Sequence, residues 1–292
     1  MMPGYLYSYD VFRSDFEVPI VKYAEQEPLE CLRRLTSPFI LRRLKEQVLK
    51  DLPDKLEKNY YVKLEGEQQK LYDAQVLRMK KQVAMQDAEE FKQKKFQMLS
   101  ELMKIRQVCC DPSLCFENYR GESAKLETCL ELVKNAIEGG HRILLFSQFT
   151  SMLEILEKRL KESGIEYYMI TGGVGKEKRL QLVQEFNKGT VPVFLISLKA
   201  GGVGLNLTGA DVVIHYDPWW NLAVQNQATD RAHRIGQNKK VVVYKLLVKD
   251  SIEEKINKLQ EEKRSLSEQV IQGDANVLSS MTREDFLRLL DE

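Results

Sequence analysis

Arg231 and Arg234 stand three residues apart in the stretch Asp230-Arg231-Ala232-His233-Arg234-Ile235-Gly236-Gln237. Guanidiniums at that spacing share one face of a predicted helix, which Gly236 is placed to end. Such a pair can stabilise the charge spread over a transferring phosphoryl group. On spacing alone, a surface pair bridged to Asp230 or to neighbouring carboxylates is the simpler reading. His233 reads as a helix-face residue, because phosphoryl transfer asks for charge and positioning before it asks for a protein base. Upstream, Gly201, Gly202 and Gly204 occupy three of four positions. That density lets a backbone pass close to a ligand or to another lobe, or simply make a tight turn.

The phosphate-gripping half of such a site is missing from the sequence. Gly173-Val174-Gly175-Lys176-Glu177 looks superficially like a phosphate loop. A true one needs glycine five residues before the Gly-Lys pair and a hydroxyl after the lysine. Here those positions are Ile170 and Glu177. The one Asp-Glu pair, Asp291-Glu292, lies at the last two positions. The chain is therefore expected not to hydrolyse a nucleoside triphosphate by itself.

The frame is a chain of 292 residues with net charge +1, long enough for a sizeable core. No apolar run is long enough to span a bilayer, and Met1–Tyr5 has no signal-peptide pattern, so no membrane partner is expected. Five cysteines without secretory features point to reduced thiols in a cytoplasm. Cys109, Cys110 and Cys115 lack paired C-x-x-C spacing and read as structural, so no metal site is expected. Residues 31–110 carry 18 Lys and Arg against 11 Asp and Glu, a balance of +7. That fits a local phosphate-binding surface or an ordinary solvated helical face.

Elements that must position the arginines follow from periodicity. Residues 1–24 are Tyr-rich and begin abruptly, like the tail of something upstream. Residues 25–120 read as helical, with breaks at Ser37-Pro38 and Leu52–Lys55 and a short strand at Tyr60–Leu64. The apolar spacing from Glu67 to Cys110 gives two helices interrupted within Gln86–Lys95, in a projecting arm. From about Ser123 the texture changes. Apolar runs at Ile143–Ser147, Tyr167–Ile170, Val191–Ser197, Val212–Tyr216 and Val241–Val248 alternate with helices at Ser151–Ser163 and Lys176–Asn187. Ser151 is the expected N-cap of the first helix and Gly164 its C-cap. This is the pattern of an α/β fold, a parallel sheet with helices on both faces. Ligand sites in such sheets lie at the carboxyl ends of the strands. A charged helix from Ser251 and a capping-box-like Thr282–Asp285 before Phe286 complete the chain.

Taken together, DRAHRIGQ, GGVGLNLTGADVVIHYDPWWN and RILLFSQFTSMLEILEKRL resemble motifs VI, V and IV of superfamily-two helicases, in the Swi/Snf branch. SPFILRR, LPDK, KIRQVCCDP and SIEEKI resemble that branch's helical protrusion and carboxy-terminal brace, and PGYLYSYDVFRSDFEVPI resembles the end of its first motor lobe. The resemblance implies a RecA-like second lobe over 121–250. A first-lobe remnant (1–24) and a protrusion (25–120) precede it, and a brace (251–292) follows. Balanced charge and the lack of an attached targeting module point to a prokaryotic source, hence to a cytoplasmic, nucleoid-associated protein.

The resemblance also implies roles. Arg231 and Arg234 match the arginine fingers that complete an ATP site when two lobes close. Gly202, Gly204, Asn206 and Asp230 fall on the nucleotide side of that cleft, and ATP and Mg2+ are held mainly by the first lobe. Ser147, Gln148, Lys199 and Trp220 match positions near the backbone of a tracked double-stranded DNA. From the residues themselves, Ser147 and Gln148 can equally hydrogen-bond their own loop, Lys199 can be solvated, and Trp219 and Trp220 can pack. The family's hydroxyl-bearing loop after Ile170 is replaced by Thr171-Gly172-Gly173-Val174, Leu222 replaces a proline after Trp-Asn, and Asp250-Ser251 replaces Gly-Thr. The implied function is the second lobe of a DNA-translocating ATPase, partnered by double-stranded DNA and by a first lobe. A strand-separating helicase, or a binding module that docks DNA or protein through the arm, is the alternative.

Overall fold

The computed structural model describes residues 4–23, 25–39, 52–198, 204–267 and 282–290. Lys199, Gly202 and Arg42-Arg43 lie outside the described residues. The chain divides into two compact units, one holding the described residues up to 39 and the other those from 52 onward.

The first unit is helical. Helix α1 (Tyr9–Phe12) is capped by the Ser8 hydroxyl, which accepts from the Val11 N–H at 3.4 Å. A π-helical turn (Arg13–Glu17) leads into α2 (Val18–Tyr23), and α3 spans Gln26–Thr36. Phe16, Ile20 and Leu29 bury against one another, with Phe12, Cys31, Leu32 and Leu35 around them.

The second unit is built on six parallel strands: β1 (Lys55–Val62), β2 (Ile143–Ser147), β3 (Tyr167–Ile170), β4 (Val193–Ser197), β5 (Val212–His215) and β6 (Val241–Val248). Their order is β1-β6-β5-β2-β4-β3, so β2 lies between β5 and β4. Ser147 pairs with Ser197, and Phe146 with both Ile196 and His215, which brings three strand ends to one level. All residues of β2, β4 and β5 are buried, as continuous apolar runs in a two-sided sheet should be. Side chains alternate between faces. Ile143, Leu145, Val193, Leu195, Val212 and Ile214 join helices α6 (Ala124–Glu138) and α7 (Thr150–Glu162) in one core. Leu144, Phe146, Phe194, Ile196 and Val213 join α8 (Lys176–Lys188) and α9 (Leu222–Thr229) in another. This is the RecA-like fold that the sequence predicts.

Local caps refine the expected boundaries. Helix α7 is capped two positions earlier than expected, with Phe149 at the N-cap position and Ser151 inside the helix. The Phe149 N–H is already taken by the Ser147 hydroxyl at 3.1 Å, which fixes the chain one turn upstream of Ser151. At the other end Gly164 adopts φ +67°, its N–H bonds the Lys161 carbonyl, and Ile165 N–H reaches the Leu160 carbonyl. That is a Schellman stop.

Strand β1 lies in a stretch that reads as helical apart from Tyr60–Leu64. It is an eight-residue edge strand, in register with β6 from Lys55↔Val241 to Val62↔Val248. Only Val62 of the eight is fully buried, so the apolar signal of a core strand is weak there. Glu57 bridges Lys55 at 2.6 Å and Lys245 of β6 at 2.9 Å.

The expected arm is a pair of helices, α4 (Gly66–Ala84) and α5 (Ala88–Cys110), broken at Met85–Asp87. The Asp87 carboxylate caps α5 by accepting from the Glu89 and Glu90 N–H groups. The arm shares its core with the two last helices, α10 (Ile252–Ser267) and α11 (Arg283–Leu290). Met79, Val83, Phe91, Met98 and Leu102 pack with Ile252, Ile256, Phe286 and Leu289, and the Phe91 and Phe286 rings meet edge-on at 5.3 Å. The Arg283 guanidinium donates to the Val83 and Ala84 carbonyls, closing the end of α4.

Candidate functional site

The carboxyl ends of β2 and β5 are stitched together by Asp217. The Ser147 hydroxyl donates to its Oδ1 at 2.5 Å, and the Gln148 N–H reaches both carboxylate oxygens at 3.3 Å. Tyr216 N–H donates to the Phe146 carbonyl across the same gap. Ser147 is fully buried and Gln148 is 8 % exposed, so both side chains are turned into the protein. Asn221 then caps α9 by accepting from the Ala223 N–H at 2.9 Å. The Gln225 side-chain Oε1 accepts from the Trp219 N–H at 3.1 Å.

Behind these loops sits Arg106 of α5, with none of its surface exposed. Its guanidinium donates to Gln148 Oε1 at 3.0 Å and to the Pro218 carbonyl, and lies 4.0 Å from Asp217 Oδ2. It is also 5.3 Å from the Trp220 ring centroid and 5.8 Å from that of Phe149. Trp220 is thus half-buried against the arm core, with its ring on a cation. Arg106 was invisible as a site residue because its partners are 42 and 112 positions away.

The arginine pair does not sit on a helix. Helix α9 ends at Thr229 and Asp230 is its C-cap, so Arg231–Gly236 form a succession of turns. In a continuing helix the Arg231 carbonyl would bond the Ile235 N–H. Here it accepts from the Leu207 N–H at 3.0 Å, tying it to the segment after the glycines. Gln237 finishes the turn. Its side-chain amide is directed at the carbonyls of Ala210 (2.7 Å), Ala232 (3.1 Å) and Thr208 (3.2 Å), and its Oε1 accepts from the Lys239 N–H. His233 Nε2 lies 2.7 Å from the Pro53 carbonyl, just ahead of β1. Gly236 takes φ +97°, which an L side chain rarely adopts.

Three fixed points therefore hold this turn, and they present the two arginines differently. Arg231 is 4 % exposed, while Arg234 is exposed. Burial, and then the charge of Arg234, disfavour the cationic form of Arg231. Gly204 and Asn206 are exposed nearby, and open space surrounds the place where a Gly204 side chain would stand. The Asn206 carbonyl accepts from the Asn187 amide at 2.8 Å. Beneath the turn, His215 Nε2 lies 2.8 Å from the Thr229 hydroxyl, and burial pushes the imidazole down to about 3, so it is neutral.

The loop after β3 holds its shape without the family's hydroxyls. Arg179, from the first turn of α8, donates to the Val174 carbonyl at 2.7 Å and to the Gly172 carbonyl at 3.1 Å. Four of the cysteines are held as thiols. Burial raises Cys109 and Cys110 well above the ordinary range, and pushes Cys129 up to about 12 and Cys115 to about 11. A second unexpected pair, Lys125 and Glu253, is wholly buried at 2.6 Å and joins α6 to α10. Burial opposes the Lys125 ammonium, but the Glu253 carboxylate outweighs it and raises the lysine's proton affinity. A cleft of about 250 Å³ is lined by Glu57, Asn59, Leu222, Asn226, Lys245 and Gln260 among others.

Both halves of the chain match known protein families. Residues 1–114 match the SNF2-related domain and residues 124–236 the helicase conserved C-terminal domain. An uncharacterized ATP-dependent helicase of Mycoplasma pneumoniae is 40 % identical over 296 residues, covering all of this chain and 28 % of that protein. The Sulfolobus solfataricus SWI2/SNF2 ATPase core in complex with double-stranded DNA superposes with a TM-score of 0.68 at 35 % identity, over 100 % of this chain and 62 % of that one. The C-terminal domain of the Sulfolobus ATPase gives 0.64 at 32 % identity, over 82 % of this chain and 99 % of that one. The chain thus spans under a third of the Mycoplasma relative. With its motifs, its sheet order and a solved domain matched almost end to end, the chain belongs to the SWI2/SNF2 family of ATP-dependent helicases.

Proposed function

We propose that this chain is the second motor lobe of an ATP-dependent double-stranded-DNA translocase. It supplies Arg231 and Arg234 to an ATP held mainly by a first lobe. The observation that carries the reading is the turn from Asp230 to Gln237, pinned by Leu207, Gln237 and Pro53 with one arginine buried and one exposed. The Arg231 cation, disfavoured by burial and then by the charge of Arg234, is relieved by an anion brought alongside. A triphosphate on a closing lobe is such an anion, and its developing transition-state charge is what fixed guanidiniums stabilise best. Gly204 and Asn206 lie exposed beside the turn, where the facing lobe would approach. ATP and Mg2+ are assigned to that facing lobe, whose phosphate loop and acidic pair this sequence does not contain.

DNA is followed through its phosphates, independently of sequence. The Sulfolobus ATPase core carries double-stranded DNA in its complex, and the same ligand is inferred here. Because Ser147 and Gln148 are turned inward, we assign them to shaping the β2 loop, and assign contact with the backbone to the surface that they and Trp220 support. The test is to combine this chain with a first lobe and measure ATP turnover with and without duplex DNA. Stimulation by duplex that is lost in Arg231→Ala supports the proposal, and unchanged turnover in both arginine variants sinks it.

A further inference from the structure

We infer that Arg106 is a positioning residue, which couples the arm helix α5 to the two loops that face DNA in the reading above. It rests on that reading only for the identity of the ligand. The geometry stands by itself: one fully buried guanidinium meets the loop after β2 through Gln148 and Phe149, and the loop after β5 through Asp217, Pro218 and Trp220. Both loops leave adjacent parallel strands at their carboxyl ends, where sheets of this kind place their ligand sites.

The cluster is also incomplete in a telling way. Arg106 Nε, Gln148 Nε2 and Trp220 Nε1 are all buried donors without a hydrogen-bond acceptor among the described residues. A cluster kept for stability alone satisfies its donors, since each orphan costs about 1–3 kcal/mol. Arginine is suited to holding both loops and lysine is not. A planar fork reaches two acceptors at fixed angles while its face lies on an indole, whereas an ammonium is a point charge. Movement of the arm relative to the sheet would then be transmitted to both loops together through one side chain.

The test uses Arg106→Lys and Arg106→Met in this chain, whose two tryptophans are Trp219 and Trp220. Three quantities are measured: acrylamide quenching of tryptophan emission, affinity for a fluorescein-labelled duplex across a salt series, and the thermal midpoint. The lysine variant is expected to stay folded, to show greater quenching, and to bind duplex about fivefold more weakly, the worth of roughly one hydrogen bond. Its salt slope is expected to equal that of the unaltered chain, because a buried side chain neutralises no phosphate. A shallower slope would make Arg106 a direct phosphate contact and overturn the positioning role. Unchanged affinity and quenching in a folded lysine variant would reduce it to a structural residue, equally against the inference. Should the methionine variant fail to fold, the lysine variant still decides. If the unaltered chain binds no duplex, the functional reading fails, and the quenching result still judges the positioning role.

Discussion

Two polar centres of the second unit are built on opposite principles. The Arg231–Gln237 turn is made from residues close in sequence, and it keeps one guanidinium buried and the other in solvent. The Arg106 cluster is assembled from three distant segments and leaves its cation with no exposure at all. In the first, hydrogen bonds at Leu207, His233 and Gln237, none of them made by a guanidinium, fix the turn that carries the charges. In the second, the charge itself fixes the loops. The difference separates residues that act on a ligand from residues that hold such residues in place, and it explains why motif spacing finds the former and overlooks the latter.

The sharpest way to break this contrast is at Arg231. Arg231→Ala in a chain paired with a first lobe is expected to lower DNA-stimulated ATP turnover by about 10³-fold, the usual range for an arginine finger. Thermal stability should scarcely change. A turnover loss below tenfold would place Arg231 with the holding residues. Next in size is the buried pair at the arm's base. Glu253→Gln leaves Lys125 as an uncompensated buried charge and should cost about 3–5 kcal/mol in chemical denaturation. Replacing both partners by apolar residues of similar volume should recover most of that loss. If the single and double variants are equally unstable, the pair is not the source of the penalty.

Gln237 lies between the two principles, since it is a side chain that anchors three carbonyls around the arginine turn. Gln237→Ala is expected to cost about 1–3 kcal/mol, and to lower turnover more than it lowers duplex affinity. Equal losses in both would argue against a role confined to the turn. The smallest effect concerns pH. His215 is pushed down to about 3 from 6.5, so the unfolded chain takes up its proton first as acid is added. Stability should therefore decline from about pH 6.5 toward pH 3, and His215→Gln should flatten that decline. Glu57, lowered to about 2 by its lysine partners against the effect of burial, adds a loss that begins below pH 4.5. An unaltered slope in His215→Gln, followed by urea titration at several pH values, would remove the histidine from the account.

The same contrast describes what could be read in advance. Five of the six strands announce themselves, because runs such as Ile143–Ser147 and Val193–Ser197 are buried on both sides and have no reason to alternate. β1 did not show its full length, because an edge strand that carries Lys55, Glu57 and Lys58 presents mixed chemistry to water. The arginine pair was legible as chemistry but not as conformation. Its departure from helix depends on Leu207 taking a carbonyl 24 positions downstream, a contact absent from any local window. Arg106 and Glu253 lie in KIRQVCCDP and SIEEKI, segments legible only as protrusion and brace, and tertiary packing is what pairs Glu253 with Lys125 and sets Arg106 behind two loops.

The shared core of the arm and the last two helices carries a consequence for synthesis. Phe91 and Phe286 meet although nearly two hundred residues separate them, so the apolar face of α4 and α5 leaves the ribosome long before its cover exists. At about 5–20 residues per second, that face stays open for tens of seconds. During that interval it is a surface for chaperones, and a premature stop codon after β6 would make the exposure permanent.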